Sequence, residues 1–276
     1  MKKSLLVSLI FATSVAHATT TYVVTAPPRG SRAEETAMFA PVAAYLTKAT
    51  GDKFIYEYPG NWLTYTQNMQ DGKYDVEFDG PQFVSWRIQH QNAVAILQLP
   101  QAHRFVVISN KLDGRGEAFT KIDSISHGLI GRPVCAPAPP NFGTLVLDAR
   151  FKHPMRRPYI VPTTSWTSGF DGVIRGQCVA TVLPRVAYAR NMKLYPGKTY
   201  QVWQSPAYPN QAITISSRLQ KAGLKGKITE ALLAPGGLEV LAPITKRYSN
   251  GKPFVPVYNQ SEYAHIDRVL DDFYGF

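Results

Sequence analysis

The twelve residues Tyr74 to Ser85, Y-D-V-E-F-D-G-P-Q-F-V-S, combine a short apolar run with an abrupt stop at Asp79-Gly80-Pro81 and an immediate passage into a helix. A strand–turn–helix junction of this kind leaves backbone N–H groups free at the positive end of a helix dipole, where an anion is favoured. In open α/β sheets ligands sit in the crevice beyond the carboxyl ends of the strands. The pattern predicts that Asp79, Gly80 and Pro81 form one wall of a ligand cleft. An acid there suits a substrate amine if it faces the cleft, or serves as a plain N-cap. Arg29, in the first strand-to-helix turn (Ala26 to Gly30, A-P-P-R-G), offers a guanidinium to an oxyanion or stays a solvated loop residue.

Patterns for covalent chemistry are missing. There is no G-x-S-x-G, no H-E-x-x-H and no phosphate-cradling G-x-x-x-x-G-K. His90, His103, His127, His153 and His265 are scattered without metal-ligand spacing. The chain is therefore expected to be no enzyme and to carry neither metal nor cofactor. Cys135 and Cys178 are its two cysteines. The count excludes a zinc quartet, and neither sits in a C-x-x-C. In an oxidising compartment an even pair reads as a disulfide, and closing a loop of about 40 residues is worth roughly 3–4 kcal/mol. Two buried free thiols are the alternative.

The compartment follows from the start of the chain. Met1-Lys2-Lys3 is basic, Leu5 to Val15 is apolar, and Ala16-His17-Ala18 has the small-x-small form of a cleavage site. Residues 1–18 read as a secretory signal peptide cleaved after Ala18. The apolar run is too short to span a bilayer, and no later stretch reaches the ~20 apolar residues a transmembrane helix needs. Export to the periplasm is expected. The formal charge of +11 becomes 11 − 2 = +9 once Lys2 and Lys3 are gone. The cations are dispersed, with small clusters such as Lys152 to Arg157, and are not interleaved with aromatics, so nucleic acid is not an expected partner. With 45% hydrophobic and 18% charged residues in 276, the chain can bury a full core in one large or two smaller domains.

The elements that must position the turn follow from caps and periodicity. Thr20 to Thr25 reads as a strand, and Ser31-x-x-Glu34 as a capping box opening a helix with Met38, Val42, Leu46 and Ala49 on one stripe. Pro41 implies a kink or a later start, and Gly51 a stop. Strand 53–58, helix 62–70, strand 74–78, helix 81–89 and strand 93–99 complete a β-α-β-α-β-α-β series, which predicts a parallel sheet covered on both faces. Strand 103–109 leaves it, and 111–127 reads as a surface loop. A second α/β unit has strands at 129–135, 159–162 and 178–183, and helices from Asn141 or Gly143 to about Phe151 and from Ser165 to Gly172. Strands at 199–203 and 212–216 follow, then short helical segments at 228–233 and 237–242 and a helix over 262–273. Two units joined by crossing strands form a bilobal, hinged arrangement. The boundaries read as lobe 1 at 19–104 and 205–276, and lobe 2 at 105–204.

Four stretches resemble the phosphonate-type solute-binding proteins of bacterial ABC transporters. They are Phe39 to Gly51 (F-A-P-V-A-A-Y-L-T-K-A-T-G), Asp71 to Pro81 (D-G-K-Y-D-V-E-F-D-G-P), Arg132 to Pro137 (R-P-V-C-A-P) and Gly172 to Pro184 (G-V-I-R-G-Q-C-V-A-T-V-L-P). The resemblance spans most of the chain beyond residue 18, in the expected order. It implies an α/β type II periplasmic binding fold, two lobes with a hinged interlobe cleft, no chemistry of its own, and docking of a monomer on an inner-membrane permease. Asp79, Gly80, Pro81 and Gln82 match the family's first-lobe turn. Asn141, Phe142, Gly143 and Thr144 fall at its second-lobe oxyanion loop, and Ser165 and Trp166 near a further ligand-contacting turn. The family places several hydroxyls at the second-lobe loop and a histidine further on. Here the loop has one hydroxyl and one aromatic, and Trp166 is near the histidine's place.

The resemblance implies a small anionic or zwitterionic solute, held by helix N-termini, the Thr144 and Ser165 hydroxyls and Arg29. Asn141 also reads as a helix cap. Of Tyr58, Trp62, Tyr65, Phe83, Trp86, Phe142, Trp166 and Phe170, most read as core. Trp62, Phe142 and Trp166 stand at loop–helix junctions, and if they line the cleft the solute is bulkier: aromatic, apolar or lipid-like. A sensor that presents ligand to a membrane receptor is the reading from another class.

Overall fold

The computed structural model describes residues 20–110, 128–151 and 153–276. The signal peptide expected over 1–18 and the loop expected over 111–127 lie outside them. Eleven strands form two sheets among the described residues. The first takes β1 (Thr21–Thr25), β2 (Lys53–Tyr56), β3 (Val76–Asp79), β4 (Val94–Gln98), β10 (Ala212–Ile215) and β11 (Val255–Pro256), in the order β11-β4-β10-β3-β1-β2. The second takes β5 (Phe105–Asn110), β6 (Pro133–Ala136), β7 (Tyr159–Pro162), β8 (Ala180–Pro184) and β9 (Thr199–Gln204), in the order β7-β6-β8-β5-β9.

The fully parallel first sheet expected from the β-α alternation is not what forms. β1, β2 and β3 pair in parallel, but β10 inserts antiparallel between β3 and β4. Local alternation sets strand directions, yet it cannot say that a strand returning from residue 212 separates two of them. The second sheet repeats the scheme: β6, β7 and β8 are parallel, and β5 arrives from the first unit to lie antiparallel between β8 and β9. Each sheet thus receives one strand delivered by a crossing segment. The two crossing segments join each other, since His103 and Tyr208 exchange backbone hydrogen bonds at 2.8 and 2.9 Å. Asn210 Nδ2 also donates to Gln101 O at 2.6 Å. Each sheet has its own apolar core, around Val24, Phe39, Leu46, Phe78 and Ile213 in the first and Phe105, Val134, Val146, Val182 and Trp203 in the second.

Ten α-helices are described. Helix α1 (Arg32–Thr50) opens with the Ser31/Glu34 capping box and closes at Gly51 in the left-handed region. Pro41 neither kinks it short nor delays it. Pro41 and Ala37 lie on the exposed face, so the carbonyl that loses its intrahelical donor faces water. Helices α2 (Trp62–Gln70) and α3 (Pro81–Gln91) follow the strand ends as expected. In the second unit α4 (Phe142–Asp148) and α5 (Trp166–Ile174) start at Asn141 and Ser165 caps. Helix α6 (Arg185–Leu194) has no place in the sequence reading: it starts at Pro184 with no side-chain cap and buries only Ala187 and Asn191, so it carries neither signal. Helices α7 (Ser217–Lys221), α8 (Lys225–Leu233) and α9 (Pro235–Ser249) return to the first sheet, α9 running well past the short segment expected there. The helix expected over 262–273 is divided. Residues 260–263 form a 3₁₀ turn, His265 takes φ 63°, and α10 begins afresh (Arg268–Tyr274). Leu270 of α10 shares an apolar cluster with Phe83 of α3 and Leu145 of α4, so this helix touches both units.

The disulfide expectation holds. Cys135 on β6 is bonded to Cys178 ahead of β8, with Cα atoms 5.6 Å apart. Among the described residues no helix is long and apolar enough to cross a membrane.

Candidate functional site

A cavity of about 780 Å³ lies where the carboxyl ends of both sheets face each other. Of the residues singled out from sequence, Arg29, Trp62, Gly80, Pro81, Gln82, Asn141, Phe142, Ser165 and Trp166 line it. Asp79, Gly143 and Thr144 do not. They lie one layer behind.

Asp79 is the last residue of β3 and is fully buried. It is not the N-cap of α3. Gly80 holds that place, and its N–H donates back to Asp79 Oδ1 at 2.8 Å. Glu77 and Asp79 are two apart on one strand, so their side chains leave the same face. The hydroxyl of buried Tyr65 sits between them, 3.0 Å from Glu77 Oε2 and in hydrogen-bond contact with Asp79 Oδ2. Arg87 of α3 pairs with Glu77 at 2.7 Å and contacts Thr214 of β10. Arg29 pairs with Asp79 at 3.3 Å. Burial pushes the Asp79 carboxyl up to about 7 even though Arg29 opposes the shift. The acid therefore faces the protein, and no substrate amine meets it.

Arg29 is what this network presents to the cavity. Its Nη2 holds Asp79, while its Nη1 is buried without a hydrogen-bond partner. The Arg29 and Arg247 guanidiniums lie 5.7 and 5.2 Å from the Tyr248 ring centroid, and the buried Tyr248 hydroxyl is close enough to Arg29 to interact with it. Arg247 is held by buried Glu35 at 3.1 Å and also donates to the Arg29 carbonyl at 3.2 Å. Two cations, each anchored by a carboxylate behind it, thus border the first-sheet side. Gln82 reaches across the cleft, its Nε2 donating to Pro140 O at 3.1 Å.

The opposite side is of another character. Asn141 is the cap that one of its readings foresaw, its Oδ1 accepting from Gly143 N at 3.1 Å. The Thr144 hydroxyl donates to Pro137 O at 2.5 Å, inside the protein. Ser165 Oγ accepts from Ser168 N at 3.0 Å while Ser168 Oγ accepts from Ser165 N, a reciprocal cap. These groups hold helix ends in place. Around them stand rings: Phe142 lies edge-on to Phe105 at 5.5 Å and to Tyr208 at 4.9 Å, and Phe105 is 6.2 Å from Trp166. A Cβ on Gly143 would come within 2.8 Å of both the Phe105 and the Trp166 rings, so only glycine lets α4 start this close to the wall. Trp62 faces them from the first-sheet side, stacked on Phe83 at 6.2 Å. His103 joins the aromatic group, parallel to Phe142 at 6.3 Å. Burial, aided by Arg29, lowers its imidazole to about 4, so it is neutral at pH 7.

Sequence reading missed His103, Phe105, Arg190, Arg247 and Tyr248 as lining residues. Arg247 and Tyr248 end a helix more than 150 residues from the turn they serve, and Arg190 lies on the unforeseen α6. No local motif marks them. Among the described residues no cluster of His, Cys, Asp or Glu could hold a metal.

The family model described as "ABC transporter, phosphonate, periplasmic substrate-binding protein" matches residues 24–263. No curated protein matches the chain significantly. Among solved structures, the chain resembles PhnD1 from Prochlorococcus marinus in complex with methylphosphonate, at 17% identity and TM-score 0.69, covering 93% of this chain and 99% of that one. XAC2383 from Xanthomonas citri, bound to ATP, has 11% identity and TM-score 0.67, with 92% and 99% covered. A binding protein of a phosphonate ABC transporter from Pseudomonas aeruginosa has 12% identity and TM-score 0.63, with 90% and 85% covered. These likenesses establish the shared two-lobed α/β fold of type II periplasmic binding proteins. With the family match over most of its length, the chain belongs to the phosphonate-type periplasmic substrate-binding proteins of ABC transporters.

Proposed function

We propose that this protein captures an anionic solute of the phosphonate kind in the periplasm and hands it to an inner-membrane permease. Residues 1–18 are removed on export. The mature monomer consists of lobes 19–104 with 205–276 and 105–204, hinged where His103 and Tyr208 pair. It carries out no reaction on its ligand. The observation that carries this reading is Arg29: a cavity-lining guanidinium fixed by Asp79 on one side, whose buried Nη1 lacks a partner in good hydrogen-bond geometry. An unsatisfied buried donor on a cation is costly unless a ligand completes it, and a phosphonate oxygen does so with a charge-assisted bond. Arg190, Arg247 and the Tyr248 hydroxyl lie along the same cavity. The zwitterion alternative has less support, because Asp79 is buried behind the wall and Glu34, at the rim, is bonded to Ser31.

A thermal-shift screen of phosphonates, phosphite, phosphate and sulfonates tests the reading. A ligand at 100 Kd adds about 2.7 kcal/mol of stability. A rise in Tm with at least one phosphonate, absent in Arg29→Gln, is expected. No rise with any oxyanion contradicts the proposal.

A further inference from the structure

The cavity is large for a bare phosphonate. About 780 Å³ falls within the roughly 300–1,000 Å³ range of sites that enclose drug-sized ligands. Its polarity is also divided. Donors for an anion gather on the first-sheet side, at Arg29, Arg247 and Tyr248. On the second-sheet side the Asn141, Thr144 and Ser165 groups are engaged in caps and loop bonds. What that side adds is the Trp166 ring backed by the nearly buried Phe142 and Phe105, with the exposed Arg190 of α6 farther along and Trp62 across the gap. A site for a tetrahedral oxyanion alone surrounds all its oxygens with donors. This one gathers its anchored donors at one end and sets rings at the other, where Arg190 is the exposed cation of α6.

Resting on the capture of an anion by Arg29, we propose that the solute is an anion with a planar aromatic or heteroaromatic body. Its charged group sits at Arg29 and its ring lies between Trp62 and the Phe142–Trp166 wall. Three features of the cavity converge on this class. Gly143 allows the two rings to approach the helix start, where any side chain would push them away. His103 is neutral and stacked on Phe142, extending the ring surface without adding a charge. The wall is fixed by edge-to-face contacts among Phe105, Phe142 and Tyr208, so it is preformed rather than assembled on the ligand.

The test is calorimetric titration of the full mature chain with methylphosphonate, phenylphosphonate and benzyl alcohol. Phenylphosphonate is expected to bind at least about tenfold tighter than methylphosphonate, from ring burial and stacking, and benzyl alcohol not measurably. Equal or tighter binding of methylphosphonate overturns the aromatic class and leaves anion capture standing. Binding of benzyl alcohol alone, or of no probe, overturns both. Two variants locate the effect: in Trp166→Ala, and separately in Trp62→Ala, the ratio of phenylphosphonate to methylphosphonate affinity is expected to fall several-fold. Circular dichroism and Tm verify that each variant is folded. A ratio unchanged in both folded variants overturns the proposed location of the ring, and with it the proposal.

Discussion

At Asp79–Gln82 the chain buries two carboxylates, two guanidiniums and a tyrosine behind a short turn, and of these Arg29 is the group that lines the cavity. At Asn141–Thr144 and Ser165–Trp166 the polar atoms close helix ends and the surface left over is aromatic. Both jaws descend from the same local device, a strand ending at a helix start in sheets of matching topology. The difference lies in what stands behind the turn. In the first jaw β10 places Thr214 opposite Glu77, giving Arg87 and Glu77 a third partner. In the second, a disulfide and a packed aromatic group take the place of ion pairs. One jaw is held by ion pairs and the other by packed rings, with Arg190 of α6 its exposed cation, and the ligand proposed for them is charged at one end.

The comparison breaks most severely at Arg87. Arg87→Met strands Glu77 in the interior, and removing one partner of a buried pair costs about 3–5 kcal/mol, read from urea unfolding at pH 7. A loss below about 1 kcal/mol would mean that Glu77 is neutral and the first jaw is not held by charge. In the second jaw the corresponding support is the disulfide. Its sequence separation is 43, and the chain-entropy model gives roughly 4 kcal/mol for a loop of that size. The Cys135→Ala/Cys178→Ala double variant is expected to lose about that much stability. Anion affinity in the same variant is expected to fall far less than in Arg29→Gln. That substitution removes the charge-assisted bond, worth about 1.5–3 kcal/mol, and should weaken phosphonate binding about 10- to 150-fold in calorimetry.

The smallest effect concerns pH. Asp79 titrates near 7 in the folded protein because it is buried, against about 3.9 when unfolded. The folded state then holds the extra proton between these values, so the contribution of Asp79 to stability declines as pH rises from about 4 through 7. Below pH 7 the neutral acid no longer opposes Arg29, whose other neighbours are the Tyr248 and Tyr65 hydroxyls and Glu35, itself paired with Arg247. Benzenesulfonate keeps its charge over this range. Its affinity is expected to rise a few-fold from pH 8 to pH 6 in the wild type and to stay level in Asp79→Asn. Titration of His103 falls outside this window, since burial holds it at about 4.

The turn at Gly80-Pro81 was legible in sequence because strand, glycine and N1 proline are local signals. The caps at Ser31, Asn141 and Ser165 were legible for the same reason, and so were Trp62, Phe142 and Trp166 as wall residues, from their place at helix starts. The orientation of Asp79 was not. Whether a carboxylate at a strand end points to solvent or inward depends on Tyr65 and Arg29, some 14 and 50 residues away. The insertion of β10 and the arrival of Arg247 and Tyr248 are likewise products of long-range pairing. His265 broke the last helix by adopting φ 63°, a choice that no residue type there announces.

The division of labour between the jaws is tested most directly by a crystal structure of the mature protein with phenylphosphonate bound. Phosphonyl oxygens are expected within about 3 Å of the Arg29 guanidinium, with the phenyl ring against Trp166 and Phe142. A reversed pose, with the phosphonyl group bonded at Thr163–Ser165 and the ring lodged beside Arg29, would contradict it.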